Sequence, residues 1–183
     1  MRLEPIEKPR GLMSRIAYYL GKRQFGKVPA AFKVIYARSP KLGMASYQIA
    51  RTMEKGLSLD PELVLLVATL TSMRNGCSFC ADLHLAQAVQ EKLSLRKFKA
   101  LQEFRTSLLF SDEERAALAY VEEVTETKDV SDATFAELQK NYDERQVVEL
   151  VWLTAVGNYF NLMAVPLQIE SDDLTSLALA KAS

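Results

Sequence analysis

The sequence predicts an all-α protein, on three observations. No stretch alternates apolar and polar residues with a period of two over a useful length, so no strand is expected. Apolar residues make up 49% of the chain against 7 glycines and 6 prolines, the balance of a well-packed helical protein rather than a disordered one. The segments of helical period are also bounded by residues that start and stop helices.

Residues 1–10 carry Pro5 and Pro9 and are expected to form an extended arm. Residues 12–24 place Leu12, Ile16, Tyr19 and Leu20 at helical spacing, with Arg15, Lys22 and Arg23 elsewhere. A basic amphipathic stretch can touch a membrane or a partner, but a solvated charged face is the simpler expectation. A second helix is expected after Pro29, with Phe32, Ile35 and Tyr36 on one face, ended by Ser39-Pro40. Residues 41–55 give another, closed by Gly56.

Asp60 and Pro61 read as N-cap and first helical residue. The helix from Pro61 to about Met73 is apolar nearly all round and should be central. After Asn75-Gly76, a helix-breaking pair, a helix is expected from Cys77 to about Leu93, then a short basic one over 95–105 capped by Ser94. Ser111 with Glu114, and Asp143 with Gln146, have capping-box spacing. They open helices through Ala117, Leu118, Val121 and Val124, and through Val148, Val151, Trp152, Ala155 and Tyr159, the latter stopped by Pro166. Between them, Ser131 or Asp132 starts a helix with Phe135, Leu138 and Tyr142. From Glu170 the tail is polar, then rich in Ala and Leu, and is open to packing or fraying. Glu62-Leu63-Val64 is weakly echoed by Glu149-Leu150-Val151, with Asn158 to Asn161 near where the cysteines stand in the first copy.

With 183 residues the chain is expected to form a single domain, 1–183, large enough for a sizeable core. Lys plus Arg equals Asp plus Glu, 23 each, so nothing calls for nucleic acid. Met1-Arg2-Leu3-Glu4-Pro5 is charged and broken by proline, so no secretory signal is expected. The longest apolar run, Leu63 to Ala68, is far short of the roughly 20 residues that span a bilayer. The expected setting is the cytoplasm, without membrane partners.

The chemistry concentrates in Arg74-Asn75-Gly76-Cys77-Ser78-Phe79-Cys80-Ala81-Asp82-Leu83-His84, which holds both cysteines and the only histidine. On a helix of about 3.6 residues per turn, positions 77, 80 and 84 lie within roughly 60° of one another. Cysteines in the first turn of a helix meet free N–H groups and the positive end of the dipole, which stabilise a thiolate. A dithiol, an acidified thiol and a nearby base make a thiol redox centre. Two buried structural cysteines with a core histidine are the bland alternative. Zinc needs about four ligands, and no carboxylate is marked as the fourth. Covalent haem needs His directly after the second Cys, where Ala81 stands. A thioredoxin-like fold needs βαβ patterning, and the flanks read as helix.

The run Asn75 to His84 resembles the motif of the carboxymuconolactone decarboxylase family, in particular its alkylhydroperoxidase D-like (AhpD-like), peroxidase-related branch. The resemblance spans about residues 40–168, including Leu59-Asp60-Pro61, Phe110 to Tyr120, Glu149-Leu150-Val151 and Asn158 to Asn161. It implies an all-α fold, homo-oligomers, and reduction of a peroxide substrate by the cysteine pair. By the same resemblance Cys80 attacks peroxide, His84 relays the proton and Cys77 resolves. The decarboxylase members lack paired cysteines. The family commonly has a glutamate where Leu65 stands, 12 residues before Cys77. Glu62, Asp82, Glu114 and Glu122 are the candidate replacements. No flavin or nicotinamide fingerprint is present, so no cofactor is expected and electrons must come from an external dithiol or thiol reductant. The expected function is a thiol-dependent hydroperoxide reductase. A redox-responsive oligomeric protein without turnover is the alternative, and a lactone decarboxylase the third.

Overall fold

The structure, a computed structural model, describes residues 1–182. Its helices are α1 (Leu12–Phe25), α2 (Pro40–Lys55), α3 (Pro61–Arg74), α4 (Ser78–Gln90), α5 (Leu95–Lys99), α6 (Asp112–Thr127), α7 (Asp132–Asn141), α8 (Glu144–Ala164) and α9 (Leu174–Ala182). A π turn covers Phe32–Tyr36, and short 3-10 turns cover Leu101–Glu103 and Val165–Leu167. No strand occurs among the described residues.

The helices start where the sequence supplies an acceptor. Asp60 takes hydrogen bonds from the N–H groups of Glu62 and Leu63. Ser111 with Glu114, and Asp143 with Gln146, each form a reciprocal capping box. Ser94 and Ser131 cap α5 and α7.

Helix α3 is the centre, as its all-round apolar character requires. Leu66, Val67, Ala68 and Leu70 are fully buried, and α4, α6 and α8 pack around it. The larger core joins α3 to Leu101, Phe104, Leu118, Val121, Leu138, Leu150 and Leu153. Each fully buried leucine contributes about 2 kcal/mol by leaving water. The buried hydroxyls of Thr69, Thr71, Ser72 and Thr154 donate back to the carbonyl four residues earlier, so none is orphaned. Gly157 lets α8 approach α3 closely: a Cβ there would lie 2.9 Å from Thr71 Cγ2.

Helix α1 turns a different face inward from the one its apolar spacing suggests. Ser14, Tyr18, Gly21 and Phe25 are buried, while Leu12, Met13, Ile16, Tyr19 and Leu20 are exposed. Gly21 makes this possible, since a Cβ there would come within 3.0 Å of the Phe32 ring. Tyr18 adds a hydroxyl bond to the Ile6 carbonyl, tying down the arm. The expected helix after Pro29 is a π turn, and Ser39-Pro40 begins α2 as well as ending that turn. Helix α2 buries only Ser46 in its own chain. Over its described residues the tail packs: α9 lies along α4.

By length and composition Glu144–Leu167 is apolar enough to cross a membrane. In the fold one face of it packs on α3, with Leu150, Leu153 and Asn161 buried.

Candidate functional site: a disulfide at a helix start

The turn from α3 to α4 sets the site. Gly76 has φ +67°, a left-handed conformation that a side chain would strain. The Asn75 side chain donates to Asn158 Oδ1 at 3.0 Å and lies 2.9 Å from Asn161 Oδ1. The Cys77 N–H donates to the Ser72 carbonyl at 2.8 Å. The turn is therefore pinned to α8 by the two asparagines of the second sequence echo.

Cys77 and Cys80 are joined as a disulfide with their Cα atoms 5.3 Å apart. Cys77 stands one position earlier than a first-turn reading places it. It is the N-cap of α4, and its sulfur accepts the Cys80 N–H at 3.3 Å. The N–H groups of a helix start favour negative charge, so a thiolate at Cys77 after reduction would meet the same donor. The first turn of α4 carries no acidic residue to oppose it. Both cysteines are deeply buried, Cys77 at 2% and Cys80 at 4% exposure. They belong to a second apolar cluster with Phe25, Val34, Ile35, Phe79, Ile169 and Leu174.

His84 lies one turn after Cys80 on α4, within side-chain reach of its helical neighbour. Burial pushes its pKa down to about 4, against a smaller upward pull from Gln87. The ring is therefore neutral at neutral pH. Its Nδ1 lies 3.2 Å from Gln87 Oε1, and Gln87 Nε2 donates to Glu54 Oε1 at 3.5 Å. Burial raises the Glu54 pKa, with Lys55 lowering it and Glu91 raising it.

The carboxylates singled out in the sequence are engaged elsewhere. Glu62 and Glu114 share Lys97, at 2.8 and 2.7 Å. Glu122 pairs with Arg74 and Arg105. Asp82, although between Cys80 and His84 in sequence, serves the tail. It accepts from Ser171 Oγ at 2.9 Å and from the Leu174 and Thr175 N–H groups at 2.8 and 2.9 Å. Burial alone would raise its pKa, but the bonds from Thr175, Leu174 and Ser171 outweigh burial and hold it below the usual value. None of these four is hydrogen-bonded to His84; the carboxylate joined to it is Glu54, through Gln87. Gln87 was open to discovery as the polar residue three positions after His84 on one helix face. Glu54 carried no local signal.

Among the described residues, no three His, Cys, Asp or Glu side chains gather in a way that could hold a metal ion.

The arrangement defines an all-α protein with a Cys-x-x-Cys disulfide opening a helix and a neutral histidine one turn on. The chain belongs to the carboxymuconolactone decarboxylase family, whose pattern matches residues 45–123. It is 30% identical over 174 residues to YnjA of Escherichia coli (strain K12), covering 92% of this chain and 94% of that one. It is 30% identical over 135 residues to YdfG of Bacillus subtilis (strain 168), covering 73% and 92%. The fold is AhpD-like. A peroxidase-related protein from Ralstonia eutropha JMP134 with an AhpD core superposes with TM-score 0.77 at 20% identity, over 96% of this chain and 97% of that one. The debrominase Bmp8, in complex with 2,3,4-tribromopyrrole, superposes with TM-score 0.83 at 18% identity, over 100% and 98%.

Proposed function

We propose that the protein is a thiol-dependent hydroperoxide reductase of the cytoplasm. The observation that carries this reading is the Cys77–Cys80 disulfide at the start of α4, with His84 one turn beyond it. In the reduced protein the Cys80 thiol gives its proton to neutral His84. The thiolate attacks the distal peroxide oxygen: an S–O bond forms, the O–O bond breaks, and the alkoxide leaves as alcohol with the proton from His84. Cys80 is then a sulfenic acid. Cys77 attacks its sulfur, water leaves, and the disulfide closes. An external dithiol restores both thiols by exchange and is itself oxidised.

The outward face of α8 supports homo-oligomers. From Val148 on, the exposed residues of α8 are Val148, Val151, Ala155, Tyr159 and Leu162, followed by Val165 just past its end, with no charge among them. A second copy of the chain is the occupant that such a strip would suit.

The test is peroxide consumption with a dithiol reductant, for wild type and Cys80→Ser. Turnover in the wild type that vanishes in the variant supports the reading; equal rates overturn it. A redox-responsive protein without turnover is favoured by the burial of both sulfurs. Disulfide formation without catalytic consumption identifies that case. Because the fold is shared with the debrominase Bmp8, tribromopyrrole serves as a second acceptor in the assay.

A further inference from the structure

We infer that Glu54, acting through Gln87, holds His84 in its Nδ1–H tautomer and leaves Nε2 as the nitrogen free to take a proton. Gln87 and Glu54 are thereby positioning residues. The use made of the free Nε2 rests on the proposed thiol chemistry; the tautomer itself does not.

The argument is one of donors and acceptors. An ionised carboxylate only accepts, so the Glu54 side chain requires the NH2 end of Gln87, which lies 3.5 Å away. The Gln87 oxygen must then face His84, and it sits 3.2 Å from Nδ1. Turned the other way, the amide would set its oxygen against the carboxylate, acceptor against acceptor. An amide oxygen only accepts, so Nδ1 must carry the hydrogen. A neutral imidazole has one N–H, and Nε2 is left bare. The burial that keeps His84 neutral at neutral pH makes the choice of tautomer meaningful.

The helix supplies half of this device. Positions 84 and 87 are three apart on α4 and so share a face. The other half comes from α2, whose last turn brings the Glu54 carboxylate to the Gln87 amide. Lys55 and Glu91 are the charged groups that bear on Glu54. The arrangement works against the ordinary preference of histidine in water, which is the Nε2–H form. It directs the basic lone pair to the ring nitrogen that Gln87 does not occupy. Cys80, one turn before His84, is the proton source that the proposed reaction needs.

His84 is the only histidine in the chain, so a 15N–1H multiple-bond correlation spectrum shows a single imidazole. The experiment uses the oxidised protein at pH 7 and needs no peroxide. The expected wild-type result is a protonated Nδ1 and a bare Nε2. Gln87→Met should move the ring to the Nε2–H form or to a mixture. Glu54→Gln should also give a mixture, because an amide in that place both donates and accepts. The exchanged pair, Glu54→Gln with Gln87→Glu, should restore Nδ1–H, since the new carboxylate accepts from the ring and from Gln at 54. A wild-type ring protonated at Nε2, or an Nδ1–H form unmoved in both single variants, overturns the inference. A confirmed tautomer in a protein that consumes no peroxide would sink the proposed function and leave this inference standing. In an active protein, Gln87→Met should lower kcat/KM for peroxide about tenfold, and the exchanged pair should recover most of it.

Discussion

The Asp82 carboxylate accepts both the N–H and the hydroxyl of Thr175, at 2.9 and 2.7 Å. This pair joins the helix of the cysteines to the last helix of the chain, 93 positions on. Asp82 thus does for α9 what a capping residue does from within the same chain segment: it supplies the acceptor at a helix start.

Asp82→Ala should release α9. The buried Leu174 N–H and its neighbours would lose a charged acceptor, a cost of about 3 kcal/mol. For a chain of this length that is a fall in Tm of roughly 6–12 °C. The Asp82 pKa is lowered in the folded state. Its contribution is therefore present above the unfolded carboxyl pKa and is lost as pH falls through the folded one. Ile169 and Leu174 share the apolar cluster of the cysteines, so reduced Asp82→Ala should alkylate several-fold faster than reduced wild type. An unchanged melting curve and alkylation rate would show that the tail is held by its apolar contacts alone.

The contact of Gly157 with Thr71 gives a second stability test. Gly157→Ala puts a Cβ 2.9 Å from Thr71 Cγ2, an overpacking that typically costs about 1–3 kcal/mol. Thr71→Ser removes the offending methyl and keeps the hydroxyl that bonds the Val67 carbonyl. The double variant should therefore be more stable than the sum of the single changes predicts. Additive urea midpoints in the double-mutant cycle would place the strain elsewhere.

Local chemistry was legible in the sequence and long-range partnership was not. The caps at Asp60, Ser111 and Asp143 involve residues two or three apart, and all stand as their spacing indicates. The Cys-x-x-Cys pair and the central apolar helix were equally plain. The inward face of α1 does not follow from its apolar spacing, because Gly21 and Tyr18, rather than its leucines, fit against the body. Asp82 was misread for a similar reason: sequence neighbours suggested the cysteine site, but its donors lie in the tail. Glu54 meets Gln87 across 33 positions of sequence, and periodicity within one segment carries no such information.

The outward strip of α8 predicts its own test. Leu162 is 69% exposed and Val148 66%, values that leave much apolar surface in water. Leu162→Glu places a charge within that strip, where an interface would have to bury it unpaired. Light scattering should show the wild type as an oligomer at micromolar concentration and the variant dissociated, with unchanged helical circular dichroism. A wild-type monomer would remove the proposal of self-association.

The last prediction concerns acid stability and His84. The folded pKa is about 4, below the ordinary 6.5, because burial disfavours the imidazolium. The unfolded chain therefore takes up this proton first as pH falls. The contribution of neutral His84 is complete above about pH 6.5 and is lost progressively as pH falls towards 4, below which it is gone. His84→Gln cannot titrate, so its urea midpoint should lack this component. The difference between wild type and variant should change through the window from pH 6.5 to 4 and stay level above it. The same direction bears on the chemistry: a His84 that stays neutral through the physiological range keeps a ring nitrogen available for the Cys80 proton, so the peroxidase rate should show no inflection near 6.5. A level difference across the window, together with a rate inflection near 6.5, would show that His84 keeps an ordinary pKa. The imidazole would then be hydrated, and the partial burial of His84 would not be what sets its charge.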